Sequence, residues 1–244
     1  MPDSLQQAIT ALQMRFGSAA PRPAAPATPA RHSGIAEIDA LTGIGGWPVG
    51  RLSLLAGARG SGKRTLAQRS VAAATLEGPV AYVDVPGRLD PEFLYHLDAR
   101  LDRLLVVRPK ALRDGMACIR TLARAGVDFI CLDLPGIRSA GLDAELPHVL
   151  HRIAEAECTL LLIHDVDIDD AIRYYASLIL GVQRSGWVFG PDGDLEGLQV
   201  DATVVKNRLA PPGRRARWVV PYTRGESPVS PLTPYTRGNP PCPP

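Results

Sequence analysis

Residues 57 to 65 read Gly-Ala-Arg-Gly-Ser-Gly-Lys-Arg-Thr, residue types and a spacing that can bind phosphate. Gly57, Gly62 and Lys63 satisfy the pattern G-x-x-x-x-G-K, which normally continues with Ser or Thr. Glycines at 57, 60 and 62 free the backbone, so that successive N–H groups, that of Ser61 among them, point into one concavity at a helix N-terminus. Lys63 adds a point charge for the terminal phosphates. Arg64 stands where the pattern has the hydroxyl that holds Mg²⁺. Thr65 comes one position late, its hydroxyl turned by about 100° on a helix. Arg64 either supplies positive charge in place of the metal or faces solvent, and the residues alone leave both open. A second candidate, Asp133, ends the apolar run Phe129-Ile-Cys-Leu-Asp133, where a carboxylate can polarise the Mg²⁺ hydration shell opposite the loop.

Such a loop needs a strand before it and a helix after it, and the pattern supplies both. Apolar runs at 51–56, 80–84, 104–108, 129–134 and 159–164 read as strands. Helical stretches at 63–76, 91–101, 113–125 and 142–157 alternate with them. That rhythm predicts right-handed βαβ units and an α/β fold with a mostly parallel central sheet flanked by helices. Segments 177–189, 198–206 and 217–221 read as antiparallel or edge strands. Before this core, Leu5, Ile9, Leu12 and Phe16 form one apolar stripe of an amphipathic helix, followed by an Ala/Pro linker. The stripe either docks on a neighbouring subunit or folds back on its own domain. After the core, a Pro-dense tail that repeats Pro-Tyr-Thr-Arg-Gly reads as disordered. The expected organisation is a helix (1–18), a linker (19–32), a core domain (33–222) and a tail (223–244).

The chain has 244 residues and a net charge of +2, with 45% hydrophobic and 21% charged residues, which suits one full-sized domain with tails and does not mark a nucleic-acid binder. Cys118, Cys131, Cys158 and Cys242 form no C-x-x-C pair, so they read as reduced thiols rather than as metal ligands or disulfides. No apolar run approaches the ~18 residues of a membrane span, and no secretion signal is visible. A cytoplasmic protein without membrane contact is the expectation.

With these residues in place the chain resembles the RecA family of recombinases from residue 4 to about 222. Ser33-Gly-Ile-Ala-Glu-Ile-Asp through Val49-Gly-Arg-Leu52 is similar to the segment that leads into that family's phosphate loop. Ala81-Tyr-Val-Asp, Leu89-Asp-Pro, Leu122-Ala-Arg-Ala-Gly-Val-Asp, Tyr175-Ala-Ser and Val204-Val-Lys-Asn-Arg-Leu-Ala-Pro resemble further family segments in the same order. The resemblance implies a RecA-like core with an adenine pocket, in which Asp90 accepts from the adenine amino group and Phe93 stacks on the base. It also implies that the N-terminal stripe is the helix that docks on a filament neighbour.

The family's catalytic positions are not kept. The position of its water-activating Glu holds Pro86, which has no proton acceptor, and that of its γ-phosphate-sensing Gln holds Val166. With Arg64 at the Mg²⁺ hydroxyl, the expectation is hydrolysis that is absent or vestigial, and ATP binding that is weak or independent of magnesium. The family's second DNA loop is reduced to Asp165-Val-Asp-Ile-Asp-Asp, whose carboxylates repel phosphates, so DNA binding is expected to be weak or indirect. One basic stretch remains, with Lys206, Arg208, Arg214, Arg215, Arg217 and Arg224 between Ala202 and Gly225 and no acid among them. It reads as a surface for a polyanion or an acidic partner, or as an ordinary solvated hairpin. In the family, the positions of Lys206 and Arg208 face the neighbouring subunit's nucleotide.

Among RecA-like proteins the chain looks most like the ImuA group. That likeness implies an accessory, regulatory role in the bacterial DNA-damage (SOS) response and translesion synthesis, with RecA and the mutagenic polymerase machinery as partners. The alternative is a divergent RecA-type, DNA-dependent ATPase acting in repair.

Overall fold

The structure, a computed structural model, describes residues 29–134, 136, 142–165 and 170–221, together with 7, 10–12, 14 and 15 of the N-terminal helix. Four apolar runs become strands buried along their whole length: β3 (Leu52–Ala56), β4 (Val80–Asp84), β6 (Phe129–Asp133) and β7 (Thr159–His164). A strand covered on both faces has no solvent side on which to place polar residues, which is why these runs are continuous rather than alternating. With β5 (Leu104–Val107) and β8 (Leu178–Phe189) they pair in parallel, β8 against β3 and β5 against β4.

The chain then turns back twice. β9 (Leu195–Asn207) pairs antiparallel with β8, and β10 (Arg215–Pro221) antiparallel with β9, giving the order β10-β9-β8-β3-β7-β6-β4-β5. Here the sequence does alternate: Trp218 and Val220 are buried while Arg217 and Val219 are exposed. A separate two-stranded ribbon joins β1 (Ala30–Arg31) to β2 (Trp47–Pro48).

Helices cover both faces of the parallel part. On one side lie α1 (Ala36–Thr42), α2 (Lys63–Glu77) and α3 (Pro91–His96), packed on Leu55, Tyr82, Phe129, Cys131 and Leu161. On the other lie α4 (Leu112–Arg124), α5 (Leu142–Glu155) and α6 (Asp170–Tyr175), packed on Leu54, Val83, Ile130 and Leu162. This is the expected α/β fold with helices on both faces. Two details differ from expectation. The α3 stretch stops at His96 instead of running to 101, because Asp98 takes a left-handed conformation (φ 60°) that no helix continues through. Residues 36–42, read only as a lead-in, form a short helix closed by Gly43 at φ 73°.

Leu12, from the N-terminal stripe, is exposed. Leu5, Ile9, Phe16, Val166 and the tail from 222 onward lie outside the described residues, as does Cys242. Cys131 and Cys158 are buried free thiols and Cys118 is half-buried. Among the described residues no helix is long and apolar enough to cross a membrane.

Candidate nucleotide site

The phosphate loop leaves the C-terminal end of β3, the strand at which the sheet's connections reverse direction, with β7 on one side and β8 on the other. Its glycines are there for geometry. A Cβ on Gly57 would stand 2.3 Å from the Val182 carbonyl oxygen, and Gly62 caps α2 at φ 90°, a region open to glycine. The loop wraps a cavity of about 420 Å³ whose wall includes Arg59, Ser61, Lys63, Arg64, Thr65 and Arg88. Ser61 Oγ is buried there without a hydrogen-bond partner. The Lys63 side chain is 6% exposed, its ammonium donating to the Ala58 carbonyl at 3.0 Å.

Arg64 is anchored within its own chain, with its side chain 30% exposed. Nε donates to Asp133 Oδ2 at 2.8 Å and Nη2 reaches Oδ1 at 3.4 Å, while the Tyr82 hydroxyl donates to the same Oδ2 at 2.9 Å. Asp133 and Tyr82 are completely buried. Burial works against the Arg64 charge, yet the bond to Asp133 holds its pKa above the ordinary arginine value. Burial foremost, then the neighbouring Cys131 and Asp133, push the Tyr82 phenol well above its usual value, so it stays a donor. Tyr82 is a residue that sequence reasoning missed as a site member. Its signal was its place two residues before Asp84, on the face of β4 that meets α2.

Asp165 closes the site from the end of β7. Its Oδ2 accepts from the Gly136 backbone N–H at 2.7 Å, and its Oδ1 lies 3.5 Å from Lys63 Nζ, an electrostatic contact rather than a hydrogen bond. Burial foremost lowers the Lys63 pKa, against the pull of Asp165. The sequence reading had Asp165 only as part of a phosphate-repelling cluster; its pairing with Lys63 was invisible there. Asp84, beside Asp133 in register, accepts from the Arg88 and Leu89 backbone N–H groups at 2.9 Å each and shapes the turn carrying Pro86.

Other sequence candidates fall into different surroundings. Asp90 Oδ1 caps α3, accepting from Glu92 N at 3.0 Å and Phe93 N at 3.4 Å, and Phe93 is half-buried. The basic stretch is largely spent on its own chain. Lys206 donates to the Arg173 and Tyr174 carbonyls at 2.6 and 2.9 Å, and Arg208 to Tyr174 O at 2.6 Å while lying over the Tyr174 ring. Both thus satisfy orphan carbonyls at the C-terminus of α6, a stable use of cations at a helix end. Arg217 forms a two-pronged pair with Asp201 at 2.6 and 3.1 Å, an acid just upstream of the stretch read as free of acids. Arg214 and Arg215 remain exposed, and Arg215 borders a broad groove of about 1020 Å³ on the other side of the loop.

The family's Mg²⁺ does not fit these residues. A hard divalent cation takes oxygen ligands, and the loop offers a guanidinium where the hydroxyl would stand. Asp133 already receives Arg64 and Tyr82. Among the described residues no group of three or more His, Cys, Asp or Glu could hold a metal.

Comparison with known proteins agrees with this architecture. Protein RecA of Brucella canis is 28% identical over 234 residues, covering 82% of this chain and 64% of that protein, and the RecA proteins of Brucella suis and Brucella abortus match to the same extent. The chain therefore spans somewhat under two thirds of these relatives. A crystal structure of the RadB recombinase matches with a TM-score of 0.61 at 21% identity, covering 76% of this chain and 93% of that one, which shows the shared fold. The RecA N-terminal domain family matches residues 4–142, a span that takes in the phosphate loop, α2 and both strands ending in Asp84 and Asp133, and the chain belongs to that family.

Proposed function

We propose that this RecA-family protein holds a nucleotide without turning it over and acts in DNA repair as a regulatory partner. The observation that carries this reading is the Arg64–Asp133–Tyr82 cluster, which ties up the carboxylate an ATPase of this family would use for its metal. Pro86, at the position of the family's base, adds a second deficit. Each lost electrostatic or acid–base contribution typically slows a reaction by ~10²-fold or more. The partners we assign are RecA filaments and the translesion polymerase machinery, met through protein contacts, with the N-terminal helix (Leu5, Ile9, Leu12, Phe16) as the docking element and Asp90 and Phe93 on the base. The test is binding to RecA and its strand exchange, with the full chain and with residues 1–30 deleted. Docking predicts that the deletion abolishes both effects; a deletion without consequence overturns it.

The competing reading is a divergent, DNA-stimulated RecA-type ATPase, favoured by the kept cradle of Gly57, Gly62 and buried Lys63. A steady-state ATPase assay with single-stranded DNA and a Lys63→Ala control separates the two. Robust turnover that needs Lys63 would replace our reading.

A further inference from the structure

We infer that Arg64 is a built-in replacement for the metal ion, so that the site's ligand is a metal-free nucleoside polyphosphate and divalent cations weaken its binding. The inference rests on the reading that the loop holds a nucleotide, and it specifies the chemical form in which the nucleotide arrives. Three observations carry it.

First, a fixed positive charge already sits against the buried Asp133 carboxylate. The guanidinium is held by a 2.8 Å bond, and the Tyr82 hydroxyl fixes the same oxygen from the other side. A divalent cation brought to Asp133 would have to displace Arg64 from a site where burial makes unpaired charge expensive, or sit beside it and be repelled. Second, the cavity is positive without help. Its wall carries Arg59, Lys63, Arg64 and Arg88; Asp165 offsets Lys63 and Asp133 offsets Arg64, while among the described residues neither Arg59 nor Arg88 has an ion-pair partner. Metal-free ATP carries more negative charge than its magnesium complex, and this wall favours the more highly charged form. Third, Ser61 belongs to the cavity wall and lacks an acceptor: its Oγ is buried without a partner just before the α2 N-terminus, the residue being 3% exposed. A phosphate oxygen would satisfy it. Arg64 therefore both holds Asp133 and lines the cavity, so one side chain can neutralise the carboxylate and offer positive charge to a bound polyphosphate.

The experiment is an equilibrium titration of the full chain with the fluorescent analogue mant-ATP, once in excess EDTA and once in excess Mg²⁺. The expected result is at least tenfold tighter binding in EDTA, lost in Lys63→Ala. In Arg64→Ser, which restores the hydroxyl and releases Asp133, the order should reverse, with Mg²⁺ strengthening binding. The wild-type comparison needs no variant, so it stands even where Arg64→Ser folds poorly. Wild-type binding that Mg²⁺ strengthens or leaves unchanged, while still requiring Lys63, overturns the metal replacement and leaves nucleotide binding intact. No Lys63-dependent binding in either buffer overturns nucleotide binding itself, and the replacement with it. Unlabelled ATP should displace mant-ATP at least tenfold better than tripolyphosphate; equal competition removes the nucleoside from the proposed ligand.

Discussion

Removing the Arg64 side chain should cost stability even with nothing bound. In Arg64→Ala, Asp133 keeps its position at 0% exposure but loses both guanidinium contacts and retains only the Tyr82 hydroxyl. Breaking a fully buried pair by deleting one partner costs about 3–5 kcal/mol. Two features lower that figure here. The Arg64 side chain is 30% exposed, so water can follow it into the gap, and the second contact at 3.4 Å is too long to add much. The expected loss is about 2–3 kcal/mol, or a Tm drop of roughly 5–10 °C for a domain of this size. Asp133→Asn should cost only about 1 kcal/mol, because the remaining guanidinium can reach solvent. The double variant should be more stable than Arg64→Ala alone, since it leaves no unpaired buried charge. Urea unfolding can be followed through the fluorescence of Trp47, which is fully buried and hydrogen-bonded to Ser70 at 2.9 Å. An Arg64→Ala loss below ~0.5 kcal/mol, or a double variant as unstable as the sum of the single ones, would refute the reasoning.

Asp165→Asn should tighten mant-ATP binding roughly threefold by freeing Lys63 of a carboxylate that is only partly exposed; weaker binding would show that Asp165 assists the ligand rather than opposing it. Gly57→Ala should destabilise by about 1–3 kcal/mol, because its Cβ would stand 2.3 Å from the Val182 carbonyl oxygen, and more than Gly60→Ala, where only the φ of 74° opposes a side chain. A thermal melt of both variants decides the order. The folded pKa of Tyr82 lies above that of the unfolded chain, so its stabilising contribution is whole below pH ~10 and falls away as pH rises beyond that. Tyr82→Phe should cost about 1.5–3 kcal/mol at pH 7 and show a shallower decline than wild type above pH 10; parallel curves would exclude the phenol as the titrating group. Cys158, pushed up to about 12 by burial foremost, adds the same alkaline slope to both proteins and cancels in the comparison.

The layout of the sheet was legible because its determinants are local. Residues 80–84 and 159–164 match their strands residue for residue, since a short, mostly apolar run whose polar residues fall at its ends has one stable home, a strand covered on both sides. The phosphate loop was equally legible from its glycines. The end of α3 was not, because nothing in Leu97–Arg100 announces the left-handed Asp98. The pairings inside the site were hidden for a different reason. Arg64 and Asp133 are 69 residues apart, and only the placement of β6 between β4 and β7 brings the carboxylate beneath α2. Likewise the partners that Lys206, Arg208 and Arg217 find on their own chain, the end of α6 and Asp201, were invisible in the sequence.

The contact between Arg64 and Asp133 also bears on how this chain could change over generations. A site that relies on a diffusible ion to neutralise its buried carboxylate has its stability tied to the supply of that ion and its nucleotide. Here the neutralising charge is encoded, so the empty protein is already whole. A single substitution back to a hydroxyl at position 64 would first expose the chain to the cost of a bare Asp133 and only later regain a metal to offset it. The present arrangement is therefore easier to enter than to leave, a step that folding stability enforces.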